Sequence, residues 1–241
     1  MPRSFEVDMR FGLQKMTLLD FPGKIACTVF TSGCTFRCPF CHNGSLVRAG
    51  DEGGAMTAEE LLAFLRKRRG VLEGVCITGG EPLVHRELFE FLKEVRALGY
   101  PVKLDTNGSF PDRLKEAVET ELVSYVAMDI KNTPEKYAVT AGCSGAGLLD
   151  SVRKSVDYLL KSGADFEFRT TVVKGFHEVK DFEVIGAWIS GCKRYFLQKY
   201  VDSGDVLGDT SRMGALSDDE MRRCLEAVRP YVPGAELRGV A

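Results

Sequence analysis

The strongest constraint on the fold is an alternation. Six apolar runs rich in β-branched residues, Ile25–Thr31, Val75–Thr78, Val102–Asp105, Val123–Ile130, Phe166–Val173 and Tyr195–Val201, each have the length and composition of a buried strand. Helical periodicity lies between or after them. Thr57 and Glu60 have the spacing of a capping box, followed by Leu61, Leu62, Phe64 and Leu65 on one face. Leu88, Phe89, Leu92 and Val95 repeat that stripe and stop before Gly99. Further helices are expected near 111–120, 148–162, 178–190 and 217–229. Parallel neighbours need crossover connections, so strands alternating with helices predict an α/β fold with a parallel sheet. Two closures satisfy the pattern, an open doubly wound sheet or a complete or partial (βα) barrel. In both, function sits at the carboxyl ends of the strands.

The chain of 241 residues suits one large domain or two small ones. Its net charge of −2 gives no electrostatic case for a nucleic-acid partner. No apolar run is long enough to span a bilayer, and the first residues lack the apolar stretch of a secretory signal. The expected location is the cytoplasm, with no membrane partner.

In a reducing compartment, clustered cysteines point to a metal rather than to disulfides. Of eight cysteines, Cys34, Cys38 and Cys41 fall within eight residues, spaced C-x3-C-x2-C, just after the first core strand. Three thiolates can hold three irons of a [4Fe–4S] cluster, whereas electron-transfer clusters use four. An open metal position is the mark of a catalytic site. The competing reading is zinc, with His42 or a remote cysteine as fourth ligand. Zinc sites favour paired C-x2-C knuckles, and here only Cys38 and Cys41 form one. Cys27 and Cys76 lie in apolar runs and look like small buried hydrophobes.

Other residues draw attention at the strand ends. Gly79 and Gly80 close an apolar run and let backbone approach a ligand, with carbonyls left to accept hydrogen bonds. Glu81 and Pro82 follow them. Asp105-Thr106-Asn107-Gly108 ends the third run, and Asp129-Ile130-Lys131 the fourth. Asp129 and Lys131 share a face if the strand persists, which also fits a plain structural ion pair. Arg169 in an apolar run needs a partner, and Glu167 is a poor one. Gln198, Lys199 and Tyr200 end the sixth run. Arg66–Arg69 suits the negative end of a helix. His85 and His177 are expected at the surface or in caps, and the stretch 142–147 as a loop.

The loop C-x3-C-x-aromatic-C resembles the signature of the radical S-adenosylmethionine (SAM) superfamily. Gly79-Gly80-Glu81-Pro82 is similar to that family's motif for the methionine amino group. The resemblance implies a partial (βα)6-type TIM barrel with parallel strands. It implies that Cys34, Cys38 and Cys41 hold a [4Fe–4S] cluster and that S-adenosylmethionine chelates the remaining iron. Phe40 would lie near the adenine. Gly79, Gly80, Glu81, Asp105, Thr106, Asp129, Lys131 and Arg169 would surround the rest of the cofactor. In glycyl-radical activating enzymes, positions matching Asp105, Thr106, Met128 and Asp129 surround a monovalent cation.

The lead-in from Phe11 to Lys24 resembles that of activating proteins for anaerobic ribonucleoside-triphosphate reductase, close to pyruvate formate-lyase activating enzyme. The implied reaction is one-electron cleavage of S-adenosylmethionine, giving methionine and a 5′-deoxyadenosyl radical that takes hydrogen from a glycine of a partner enzyme. Reduced flavodoxin or ferredoxin is the implied electron donor. The expected organisation is a single domain over 1–241, with a turn-rich lead-in at 1–23, a barrel core at 24–201 and a C-terminal helical segment at 202–241. A radical enzyme acting on a small purine-like or pterin-like molecule is the alternative within the class. A non-catalytic zinc or iron–sulfur module is the alternative outside it.

Overall fold

The computed structural model describes residues 7–47, 56–145, 147–202 and 204–240. The chain forms two compact units. The first comprises the segment ending at Cys34 together with Leu46–Thr106 and Asp112–Val126; the second comprises Thr35–Ser45, Asn107–Pro111 and the chain from Ala127 onward.

In the first unit, β1 (Arg10–Thr17), β2 (Ala26–Thr31), β3 (Met56–Thr57), β4 (Gly74–Gly79) and β5 (Val102–Thr106) are ordered β3-β1-β2-β4-β5. β2, β4 and β5 run parallel, and β1 lies antiparallel to both β2 and β3. The helices α2 (Ala58–Lys67), α3 (Leu88–Ala97) and α4 (Pro111–Glu119) follow strands as the periodicity predicts; the short α1 (Gly44–Val47) precedes them. The Thr57 side chain accepts from Glu60 N–H and the Glu60 side chain accepts from Thr57 N–H, which forms the expected capping box. Leu61, Leu65, Ile77, Leu88, Phe91 and Leu92 are fully buried. Each such side chain contributes roughly 1.5–3 kcal/mol in transfer terms.

β6 (Tyr125–Asp129) begins in the first unit and ends in the second. The second unit continues with α5 (Tyr137–Ala141), α6 (Leu148–Ser162), β7 (Phe166–Val172), α7 (Asp181–Trp188), β8 (Tyr195–Lys199), α8 (Asp218–Val228) and β9 (Ala235–Arg238). β7, β8 and β9 are parallel neighbours in that order. All six expected strands are present, and the fold is α/β with mostly parallel strands, as predicted.

Three strands depart from the expectation. The lead-in is not only turns: Arg10–Thr17 forms β1, anchored by fully buried Phe11 against Phe91 at 4.6 Å between ring centroids. The two-residue β3 pairs with it. The C-terminal segment, expected to be helical, ends in β9 beside β8. These strands are short or carry mixed burial, so no apolar run announces them. Residue 146, within the expected loop 142–147, lies outside the described residues.

Candidate active site

The cysteine loop leaves β2 and enters the second unit after Cys34. Cys38 is buried, Cys34 and Cys41 are half-buried, and none of the three is in a disulfide. Backbone contacts fix the part of the loop in the second unit. Cys41 N–H donates to Cys38 O at 3.0 Å, closing a turn between two of the thiols. Arg37 N–H donates to Ala141 O at 2.8 Å, and Gly208 N–H donates to Pro39 O at 2.8 Å. Gly142, in the left-handed region at φ 64°, ends α5 under Arg37; a Cβ there would stand 2.0 Å from Arg37 O. The Asp205 carboxylate accepts from Ser45 N–H at 3.0 Å just beyond the loop. Among the described residues, no three His, Cys, Asp or Glu side chains converge as ligands of one metal ion would. Thiolates of a polynuclear cluster bind different irons and need no such convergence.

Phe40 is buried edge-on against Phe176, at 5.4 Å, and against His177, at 6.4 Å. His177, expected at the surface or in a cap, is only 5% exposed. Its Nδ1 accepts from Val173 N–H at 3.1 Å, which leaves Nε2–H to donate to Lys131 O at 2.8 Å. Burial holds its pKa below the ordinary 6.5, so the imidazole is neutral. A histidine in that state links Phe40 of the cysteine loop to the backbone of Lys131. His42 lies in the loop, as expected, and is exposed.

In the first unit, Gly79 and Gly80 stitch the end of β4 to the chain just before Cys34. Gly80 N–H donates to Thr31 O at 2.9 Å, and Glu81 N–H donates to Gly33 O at 2.8 Å. A Cβ on Gly80 would lie 1.9 Å from Gly33 O, and one on Gly79 would lie 2.2 Å from Thr31 O. Both clashes are with backbone, so only glycine permits this approach. Glu81 is fully buried; its Oε1 accepts from Thr106 Oγ1 at 2.9 Å and from Leu83 N–H at 3.1 Å. It thereby ties the end of β4 to the end of β5. His85 Nε2 lies 2.7 Å from Ser32 O, so this half-buried histidine braces the same stretch.

Asp105 pairs with Lys103, two residues earlier on the same face of β5. Lys103 is 2% exposed, and Cys76, opposite it on β4, brings Sγ to 3.8 Å from both the ammonium and the carboxylate. Lys103 belongs to none of the motifs at the strand ends. A charged residue inside a buried strand, two positions from an aspartate, was the available signal.

In the second unit, Asp129 is the hub. Its Oδ2 accepts from Lys131 Nζ at 2.9 Å and its Oδ1 from Arg169 Nε at 3.0 Å. Asp129 therefore supplies the partner that Arg169 was expected to need. Glu167 points elsewhere, accepting from both terminal nitrogens of Arg238 at 3.1 and 3.2 Å. Burial works against ionising Asp129, but the charges of Lys131 and Arg169 outweigh it and hold the carboxyl well below the usual carboxylate range. Burial also disfavours the Lys131 ammonium, and Asp129 first, then Cys38, overcome that penalty and push its pKa up. Gly108 at φ 76° packs against Met128, and its carbonyl accepts from Ser155 Oγ at 2.7 Å. Lys199 pairs with Asp218 at 2.5 Å. The buried Tyr200 hydroxyl is the one buried side-chain polar atom among the described residues without a hydrogen-bond partner.

The radical SAM superfamily profile matches residues 28–186. A Methanocaldococcus jannaschii protein named as a glycyl-radical enzyme activating enzyme is 27% identical over 235 residues, 95% of each chain. The 7-carboxy-7-deazaguanine synthase of Thermoplasma acidophilum is 32% identical over 69% of this chain and 75% of its own. The pyruvate formate-lyase-activating enzyme of Listeria monocytogenes is 31% identical over 58% of this chain and 60% of its own. Streptococcus suis SuiB bound to S-adenosylmethionine superposes with a TM-score of 0.66 and 16% identity over 86% of this chain. The chain spans 48% of that structure. Such a likeness concerns the fold, and it agrees with the expected partial barrel. With the family profile spanning more than half of the sequence, this chain belongs to the radical SAM superfamily, whose enzymes work with a [4Fe–4S] cluster and S-adenosylmethionine.

Proposed function

We propose that this protein activates a glycyl-radical enzyme, and that its partner is an anaerobic ribonucleoside-triphosphate reductase. The observation that carries the activase reading is the match along 95% of both chains to the Methanocaldococcus jannaschii protein of that name. The choice of partner rests on the lead-in Phe11–Lys24.

The residues fit the cofactors. Cys34, Cys38 and Cys41 offer three thiols outside any disulfide on one loop, the donor set for three irons with a fourth left open. Gly79 and Gly80 let the end of β4 lie against the backbone of Thr31 and Gly33, where any Cβ would overlap it, and so fix the strand end at which backbone carbonyls would meet an ammonium group. When bound, the cluster and S-adenosylmethionine supply one-electron cleavage of the sulfonium and hence a hydrogen-abstracting radical. The chain's own part is to hold and orient. The backbone bonds at Arg37, Pro39 and Cys41 fix the thiol loop before any metal binds. Asp129, Lys131 and Arg169 form a pre-organised charged trio for the polar end of the cofactor, with Phe40 for its adenine. No side chain has to move a proton. Flavodoxin or ferredoxin would supply the electron.

The test is anaerobic reconstitution with iron and sulfide, then dithionite and S-adenosylmethionine. The expected outcome is 5′-deoxyadenosine together with a glycyl-radical doublet in the electron paramagnetic resonance spectrum of added reductase. The likeness to 7-carboxy-7-deazaguanine synthase favours a second reading, a small purine-like substrate. Turnover of such a molecule with no protein partner would establish it. A colourless, zinc-loaded protein would overturn both.

A further inference from the structure

We propose that Lys103 is a built-in cation. Its ammonium neutralises Asp105 where relatives are expected to hold a monovalent metal ion, so this chain binds S-adenosylmethionine without K⁺ or Na⁺. The resemblance would assign that ion to Asp105, Thr106, Met128 and Asp129, and the residues present do not fit it. Inside the first unit, the Asp105 carboxylate is paired with Lys103. Lys103 is 2% exposed and sits two residues along the same strand face. Cys76 Sγ stands 3.8 Å from both groups. The Thr106 hydroxyl donates to Glu81 Oε1. Inside the second unit, Asp129 already carries two cations, Lys131 and Arg169.

A metal ion bound at Asp105 would face an ammonium that cannot leave. One bound at Asp129 would face two basic groups for one carboxylate. Like charges at such range repel in a poorly solvated site. A covalently attached ammonium also needs no binding from solution, so the site's charge is fixed at any salt composition.

This inference rests on Asp105 belonging to the cofactor site, so its test separates the two ideas. S-adenosylmethionine affinity of the reconstituted protein is measured by equilibrium dialysis at one ionic strength in choline, sodium or potassium chloride. The expected dissociation constants agree within about threefold, and a larger, saturable tightening by K⁺ or Na⁺ overturns the proposal. Lys103→Gln is expected to bind at least about tenfold more weakly in choline and to regain affinity in K⁺. An equal loss in all three salts would make Lys103 merely structural and overturns it. Should that variant not fold, the wild-type comparison decides alone. Thermal unfolding of the cluster-free protein in the same salts gives an independent readout: an unchanged midpoint supports the proposal, and a rise confined to K⁺ or Na⁺ overturns it. Absence of S-adenosylmethionine binding in every salt would sink the cofactor assignment, while the melting curves still report on the cation.

Discussion

Arg169 Nε donates to Asp129 Oδ1 at 3.0 Å, across from the Lys131 ammonium on Oδ2 at 2.9 Å. One carboxylate thus serves two poorly solvated cations, and the three substitutions are not equivalent. Asp129→Ala strands both cations and is expected to cost about 2–4 kcal/mol of folding stability. Arg169→Met leaves Asp129 with Lys131 and is expected to cost only about 1 kcal/mol. Equilibrium urea unfolding measures both; equal losses would show that the trio does not share charge.

The same trio sets a pH signature. The Asp129 carboxyl is held below its ordinary value of 3.8, so the folded state binds its proton less readily than the unfolded state. Its contribution is full above the ordinary carboxylate range and is lost as pH falls through and below it. The stability gap between wild type and Asp129→Asn should therefore be flat from about pH 5 to 8 and close on acidification toward about pH 3. A gap that widens on acidification would contradict the assignment.

His177 should give a second, separate slope. Burial places its folded pKa below 6.5, so the unfolded chain takes up the proton first. That stability is complete above 6.5 and declines as pH falls toward the folded pKa. Protonation would also break the bond from Val173 N–H to Nδ1. Melting temperatures between about pH 7 and 5 should fall less steeply in His177→Gln than in wild type.

Six of the eight cysteines should divide into two groups. Cys34→Ala, Cys38→Ala and Cys41→Ala are each expected to lose most bound iron after anaerobic reconstitution. Cys27, Cys192 and Cys224 are buried, and burial pushes the first two thiols up to about 12 and the third to about 11, so they are poor thiolate donors. Their alanine variants should keep iron and lose only about 1–2 kcal/mol of stability. Iron and sulfide analysis on the purified variants decides the division.

Gly80→Ala should abolish S-adenosylmethionine binding or folding of the site, because its Cβ would meet Gly33 O at 1.9 Å. Gly145→Ala meets nothing within 4 Å and serves as the control. Circular dichroism and equilibrium dialysis on the pair separate a local clash from a general intolerance of the added methyl group.

Much of this was legible in the chain itself. Alternation of apolar runs with amphipathic helices located the six core strands because burial on both faces favours apolar residues along most of a strand. The capping box at Thr57 and Glu60 carried the helix start, since both partners lie within one turn. The cysteine spacing carried the cluster chemistry, because three ligands fit within eight residues. β1 and β9 were missed: one alternates irregularly around a bulge, and the other has four residues.

What the sequence determined by itself is therefore local: element type, the strand-end positions of the glycines and carboxylates, and the thiol loop. Tertiary structure decided the pairings. Spacing suggested Asp129 with Lys131, but nothing along the chain joins Asp129 to Arg169, forty residues on. Lys103 read alone is a charge in an apolar strand. Only the register that sets it opposite Cys76, with Asp105 on the same face, makes it a buried counter-ion. His177, read from the sequence as a surface or capping residue, is carried by β7 and the turn after it against Phe40 and onto Lys131 O. A buried polar group takes whichever partner the packed chain brings within reach, and that choice is made in three dimensions.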